Sequence, residues 1–226
     1  MKSASADIVV TTVAIAERES VLQLLLRKLG KERNNPPAAE VHLKYIPSYV
    51  LQPIETATDA EKQQFVDLVN KFHSGELPKV ANAQEFVQLI QKEAPLLAAK
   101  AQSIYNTYNE KVAQLNEQAR NFVKKWEAKW FAAIDTTDRE AMLKNMMTLT
   151  KEFFADADSL TPETWASLQQ QFPEQVKAWN ECPQLKALRA FMQNLPADGD
   201  LTKDPEALQK LMEIGLNKLM TTETKS

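Results

Sequence analysis

Apolar residues recur along this chain at steps of three and four, the spacing that stripes one face of an α-helix. The longest such pattern covers residues 95–134, where Leu97, Ala101, Ile104, Tyr108, Val112, Leu115, Ala119, Phe122, Trp126 and Trp130 share a face. At about 1.5 Å of rise per residue an unbroken helix here would be roughly 60 Å long, wider than a small domain. The stretch is therefore a strut for shorter helices, a kinked pair, or an arm of a coiled coil. A steady heptad is missing and the neighbouring segments each offer an apolar face, which counts against the coiled coil.

The flanking segments read as shorter amphipathic helices with local start and stop signals. Residues 17–29 carry Val21, Leu22, Leu24, Leu25, Leu26 and Leu29 ahead of Gly30, a residue suited to the position after a last helical turn. Arg18, Arg27, Lys28 and Lys31 are interspersed with Glu17 and Glu19, so this helix reads as docked on a core rather than as a basic membrane-surface helix. A polar, proline-broken linker follows at 31–37, then a segment at 41–53 expected to be extended and irregular, with Pro47 and Pro53 as punctuation. Thr58 and Glu61 form a capping box for a helix with Phe65, Leu68, Val69 and Phe72 on its stripe, ended by Gly75. Asn82 and Glu85 open the next, with Phe86, Leu89 and Ile90, and Pro95 suits the first position of the long stretch.

Beyond residue 134 a turn at 135–138 and a second capping box, Thr137 with Glu140, precede a stripe of Met142, Leu143, Met146, Met147, Leu149, Phe153 and Phe154. Thr161-Pro162-Glu163 starts a helix with Trp165 and Leu168; Phe172-Pro173 turns into another with Val176 and Trp179. Pro183 restarts the helix that holds Leu185, Leu188, Phe191, Met192 and Leu195. After a loop at 196–203, a last helix opens at Asp204-Pro205-Glu206 with Leu208, Leu211, Met212, Leu216 and Leu219. The fold class is all-α.

Composition agrees: 4 Gly in 226 residues suits helices better than a sheet with many turns. With 27 basic and 30 acidic residues the net charge is -3 and no basic block tracks a phosphate backbone, so no nucleic-acid partner is expected. Cys182 is the single cysteine, which excludes an intrachain disulfide and a thiolate cluster and leaves the compartment open. Residues 1–16 end in a small-x-small pattern like a signal-peptidase site, but the apolar run at 8–16 is short, holds Thr11 and Thr12 and follows Asp7. No run approaches the roughly 20 apolar residues that span a membrane, and a soluble chain is expected.

Catalytic and metal patterns are lacking. His42 and His73 have no ligand partner at helical spacing, and H-E-x-x-H, a glycine-rich phosphate loop and G-x-S-x-G are absent. Cys182 has neither a flanking His nor a basic cluster to lower its pKa. The sequence therefore predicts no enzyme, no metal and no cofactor. What stands out is 4 Trp, 9 Phe and 7 Met on helix stripes. These suit an adaptable wall around an apolar ligand, but composition alone favours the blander reading, a close-packed solid core.

In order, the segments resemble the nematode fatty-acid- and retinol-binding proteins. The resemblance rests on Ile46-Pro47-Ser48-Tyr49-Val50, Ala57-Thr58-Asp59-Ala60-Glu61-Lys62, Ala94-Pro95-Leu96-Leu97-Ala98-Ala99-Lys100-Ala101, Leu115-Asn116-Glu117-Gln118-Ala119-Arg120-Asn121-Phe122, and Leu160-Thr161-Pro162-Glu163 with Leu168 and Phe172-Pro173. Each motif alone is a helix cap or corner, so specificity lies in their order and spacing. The family has Gly-Pro at a corner where this chain has Asn116-Glu117; Asn can cap a helix without forcing a break, so a bend near Asn116 is implied by the resemblance alone.

The resemblance implies a binding domain at 41–195, between an extension at 1–40 with one helix and a linker and a C-terminal helix and tail at 196–226. It implies a secreted, non-enzymatic carrier that encloses a fatty acid or retinol in an internal apolar cavity; transient membrane contact is compatible with such a carrier, and the sequence does not decide it. Expected wall residues are Phe65, Leu68, Phe72, Phe86, Ile90, Ile104, Tyr108, Phe122, Trp126, Met142, Met146, Phe153, Leu168, Leu188 and Phe191. A buried carboxylate needs a partner or a wet portal, and Arg120, Lys124, Arg139 and Arg189 are the headgroup candidates. Family members carry a kinase-type S/T-x-x-D/E site at the early helix, which Thr58 to Glu61 fits, although the capping box accounts for the same residues. The competing expectation is a helical protein-interaction module with a solid core.

Overall fold

A computed structural model of the chain describes residues 45–134 and 139–194. Among these the chain forms nine α-helices and one 3-10 turn: α1 (Ser48–Glu55), α2 (Asp59–His73), α3 (Ala83–Glu93), the turn Pro95–Leu97, α4 (Ala98–Ala113), α5 (Glu117–Ala133), α6 (Arg139–Asp158), α7 (Pro162–Gln171), α8 (Pro173–Glu181) and α9 (Pro183–Asn194). The fold is all-α, as the apolar periodicity predicts. The helices expected at 17–29 and from residue 204, the linker at 31–37 and the capping box at Thr137 lie outside the described residues.

The first described element is a correction. Residues 48–55 are helical, where two prolines suggested extended chain. Pro47 sits at the N-cap, where its missing N–H is not needed, and its carbonyl accepts from the amides of Val50 and Leu51 at 2.9 Å. Pro53 lies inside the helix, but in an element of 8 residues it removes only the bond that Tyr49 would have accepted. So short a helix has too few turns for an apolar period to register.

The Thr58 cap forms with the expected atoms, and the Asn82 cap in part. Thr58 Oγ1 accepts from the Glu61 amide at 3.3 Å and Glu61 Oε2 accepts from the Thr58 amide at 2.6 Å, a reciprocal box at the start of α2. Asn82 Oδ1 accepts from the Glu85 amide at 2.9 Å, but Glu85 returns its bond to the amide of Ala81 at 2.8 Å. Gly75 closes α2 with φ 73°, its amide on the Phe72 carbonyl and that of Glu76 on the Lys71 carbonyl. This pairing needs a left-handed residue, which only glycine supplies without strain.

The long stretch is two helices, and its corner shows how a chain turns without Gly-Pro. Asn116 leaves helical geometry (φ -61°, ψ 166°) and its Oδ1 accepts from the Ala119 amide at 2.8 Å, capping α5. The orphan carbonyls at the end of α4 are taken up from the far side of the corner. Arg120 donates Nη2 to the carbonyls of Ala113 at 2.9 Å and Leu115 at 2.7 Å. Leu115 is buried at the apex, and the Asn116 amide donates to Ser167 Oγ of α7 at 2.9 Å.

The helices bury three apolar clusters. One lies between α2 and α3 and contains Leu68, Leu77, Leu89, Ile90 and Ala94. A second joins α4, α5, α7 and the start of α8 through Tyr108, Val112, Leu115, Ala119, Val123, Leu168, Phe172 and Val176. The third is the aromatic cluster of α5, α6, α8 and α9, with Trp126, Trp130, Phe153, Phe154, Trp179, Leu188 and Met192 among its members. Phe122 and Trp165, both part-buried, pack against the second and third clusters alike.

Candidate functional site

Where those two clusters meet, four helices leave an apolar pocket. Phe122, Val123 and Trp126 come from α5, Phe153 and Ala157 from α6, Trp165 and Leu168 from α7, Phe172 from the α7–α8 corner, and Gln175, Val176 and Trp179 from α8. The α5 residues share a face because they are three and four apart. The corner residue Phe172 is followed at the same spacing by Gln175, Val176 and Trp179, so one stripe of α8 continues the wall.

The wall is built from rings in edge and tilted contact. Phe153 is central: its ring centroid lies 5.2 Å from that of Trp126 and 6.2 Å from that of Trp179, both edge-on, and 5.7 Å from that of Phe122. Trp165 lies 5.4 Å from Trp179, and Phe172 lies 5.8 Å from the fully buried Tyr108. Edge and tilted pairs of this kind are favourable beyond their area by about 0.5–1.5 kcal/mol each.

Charge stays outside this lining. Trp126 Nε1 donates to Asp156 at 3.1 Å, and Asp156 also pairs with Lys125. Lys129 pairs with Glu152 while its ammonium stands 4.7 Å from the Trp126 ring centroid. Arg189 pairs with Asp158 and stacks its guanidinium 4.6 Å from the Trp179 centroid. Cations near ring faces are attracted by the ring quadrupole, and each of these three has a carboxylate partner. Among the described residues no cluster of His, Cys, Asp and Glu is able to hold a metal ion.

The pocket's volume is about 50 Å³. A dry apolar cavity that holds benzene has about 150 Å³, and drug-sized ligands occupy roughly 300–1,000 Å³. A long-chain molecule therefore enters only if the walls part. Part-buried Phe122 and Trp165 have the most room to do so.

Of the expected wall residues, the structure brings Phe122, Trp126, Phe153 and Leu168 together around the pocket. Leu68, Phe72 and Ile90 belong to the α2–α3 cluster instead. Tyr108 backs Phe172 from α4, while Leu188, Met146 and Phe191 pack in or against the aromatic cluster. Phe65, Ile104 and Met142 are half-buried away from the lining, and Phe86 is 40% exposed on α3.

The headgroup candidates are dispersed. Arg120 clamps the end of α4, Arg189 is paired with Asp158, and Lys124 is half-buried on α5. Arg139 is the first residue of α6, and its side chain lies outside the described set. Thr58 is exposed with its hydroxyl oxygen in the α2 cap. Trp165, Phe172, Val176 and Trp179 were legible as stripe or corner residues but not as wall. Gln175 left a subtler signal: a glutamine in the buried register of α8, three after Phe172 and four before Trp179.

The site is thus a small pocket in an all-α domain, walled by rings and without an ionisable side chain in its lining. The chain belongs to a known family of apolar-ligand binders: the family model of the nematode fatty acid retinoid binding protein (Gp-FAR-1) matches residues 40–190. No curated protein and no solved structure matches it at a significant level. The match takes in α1 to α8 and most of α9. No helix among the described residues is long and apolar enough to cross a membrane.

Proposed function

We propose that this protein is a lipid carrier that sequesters a fatty acid or retinoid between α5, α6, α7 and α8, with no catalytic step. The observation that carries the reading is the ring-walled pocket between those helices in a chain of this family. Transfer of an acyl chain from water is favourable by about 0.8 kcal/mol per buried methylene, which is the main source of affinity. Against it stands the cost of separating the walls.

Repacking of Phe122 and Trp165 opens the space, while polar ties hold the helix axes. Thr164 on α7 donates to Gln118 on α5 at 2.9 Å, and Lys111 on α4 donates to the Gln171 carbonyl at the end of α7 at 2.9 Å. Secretion belongs to the same reading and rests on the family resemblance.

The second reading, an interaction module with a solid core, is favoured by the small pocket volume. Native mass spectrometry of the purified protein, followed by lipid extraction, separates the two. A carrier co-purifies with lipid, or takes up a fluorescent fatty acid that oleate displaces. Absence of both results would refute the carrier reading.

A further inference from the structure

Gln175 is 6% exposed, lines the pocket, and has no hydrogen-bond partner for either its amide oxygen or its amide nitrogen. Buried polar atoms are nearly always paired, because an unmade bond costs free energy that water would have supplied. Two unpaired atoms on one side chain, in a lining otherwise made of rings and aliphatic groups, mark a place built for something polar. Packing does not require a glutamine here: Phe172, Val176 and Trp179 on the same stripe are apolar.

We propose that Gln175 is the polar anchor of the lipid site and that it selects a ligand ending in a hydroxyl over one ending in a carboxylate. The inference rests on the carrier reading and adds the ligand's polar end and its orientation, head inward. A primary amide donates through nitrogen and accepts through oxygen. A hydroxyl also does both, so an alcohol answers each unmade bond. A carboxylate only accepts: it would use the N–H, leave Oε1 facing like polarity, and bring a charge into a lining that contains no cation. Near the pocket, Lys125, Lys129 and Arg189 are already paired with Asp156, Glu152 and Asp158, and Lys111, 6.0 Å from the Phe172 ring centroid, donates to the Gln171 carbonyl outside the lining.

The test uses the full-length protein with two matched ligand pairs at neutral pH, retinol against retinoic acid and hexadecanol against palmitate, measured by displacement of a bound fluorescent fatty acid. In each pair the alcohol should bind about tenfold tighter, a factor that one well-made bond supplies. Gln175→Leu and the closer-shaped Gln175→Met should lower alcohol affinity about tenfold and leave the acids within about twofold. Without ligand, both variants should melt at or above the wild-type temperature, since no intramolecular bond is lost. That readout separates an anchor from a structural role, for which melting would fall.

Acids binding as tightly as alcohols, or alcohol affinity unchanged in both variants, would overturn the anchor and leave the carrier intact. A preference for retinol that hexadecanol does not share would assign the selection to the retinoid chain and overturn it too. No uptake of any of the four by the wild type would overturn both readings.

Discussion

Arg120 was a candidate for a lipid headgroup, and the structure gives it a different occupation that has a measurable size. Replacing it with alanine removes the donors to the carbonyls of Ala113 and Leu115 and leaves the end of α4 without those partners. Hydrogen bonds from a charged donor contribute about 1.5–3 kcal/mol when shielded and less when wet. The Leu115 bond is part-buried at 2.7 Å and the Ala113 bond is exposed at 2.9 Å, so a loss of about 2 kcal/mol in total is expected. For a chain of this size that lowers the melting temperature by about 4–8 °C. Arg120→Lys keeps the charge, but both bonds come from Nη2, one atom further from the backbone than the lysine ammonium, so most of the loss should persist.

The assay is thermal and urea unfolding beside fatty-acid uptake, measured on the same preparations. Destabilisation with uptake within about threefold of wild type supports the clamp. Full stability with lost uptake in Arg120→Ala, rescued by lysine, would refute the reasoning and return Arg120 to the headgroup.

Two further outcomes follow from the same geometry. Phe122→Arg puts a guanidinium into an apolar lining and should reduce uptake more than a hundredfold, far more than Arg120→Ala, with the helical circular dichroism retained; comparable losses in the two variants would count against burial as the source of affinity. Glu61 titrates below its ordinary value of 4.5, because it accepts from the Thr58 amide and, next, from Lys100 of α4. A depressed carboxylate stabilises the fold above its unfolded pKa and loses that contribution as pH falls through the folded value. Urea midpoints of the wild type and Glu61→Gln should thus differ at pH 6 and draw together as the pH falls below that ordinary value; a gap still undiminished at pH 3 would rule out the ion as its source.

What was legible in the sequence is what hydrogen-bonds locally. Thr58 with Glu61 and Asn82 with Glu85 are contacts across three residues, so spacing alone reveals them. The Asn116 corner was only half legible. Asn116 announces its own cap, but the Arg120 clamp reaches back across the bend to Leu115 and Ala113, and its purpose is invisible until both helices are placed.

Stripes carry a similar limit. Leu68 and Trp126 both look inward from their helices, yet one serves the α2–α3 cluster and the other the pocket. Periodicity identifies the buried face of a helix but not which space that face borders. The α7–α8 corner shows the same limit: the spacing of Trp165, Phe172, Val176 and Trp179 marks a buried face, and only the placed helices show that Gln175 shares it and lines the pocket.

Trp126, Trp165 and Trp179 all line one pocket, and the remaining tryptophan, Trp130, stands with its ring centroid 6.4 Å from that of Trp126. The molecule thus has a built-in optical reporter. Its ultraviolet emission originates almost entirely at the proposed ligand site, so wavelength shifts, quenching by dissolved acrylamide and energy transfer to a polyene all describe events there. Binding there can be watched without a label, because the vantage point comes with the fold.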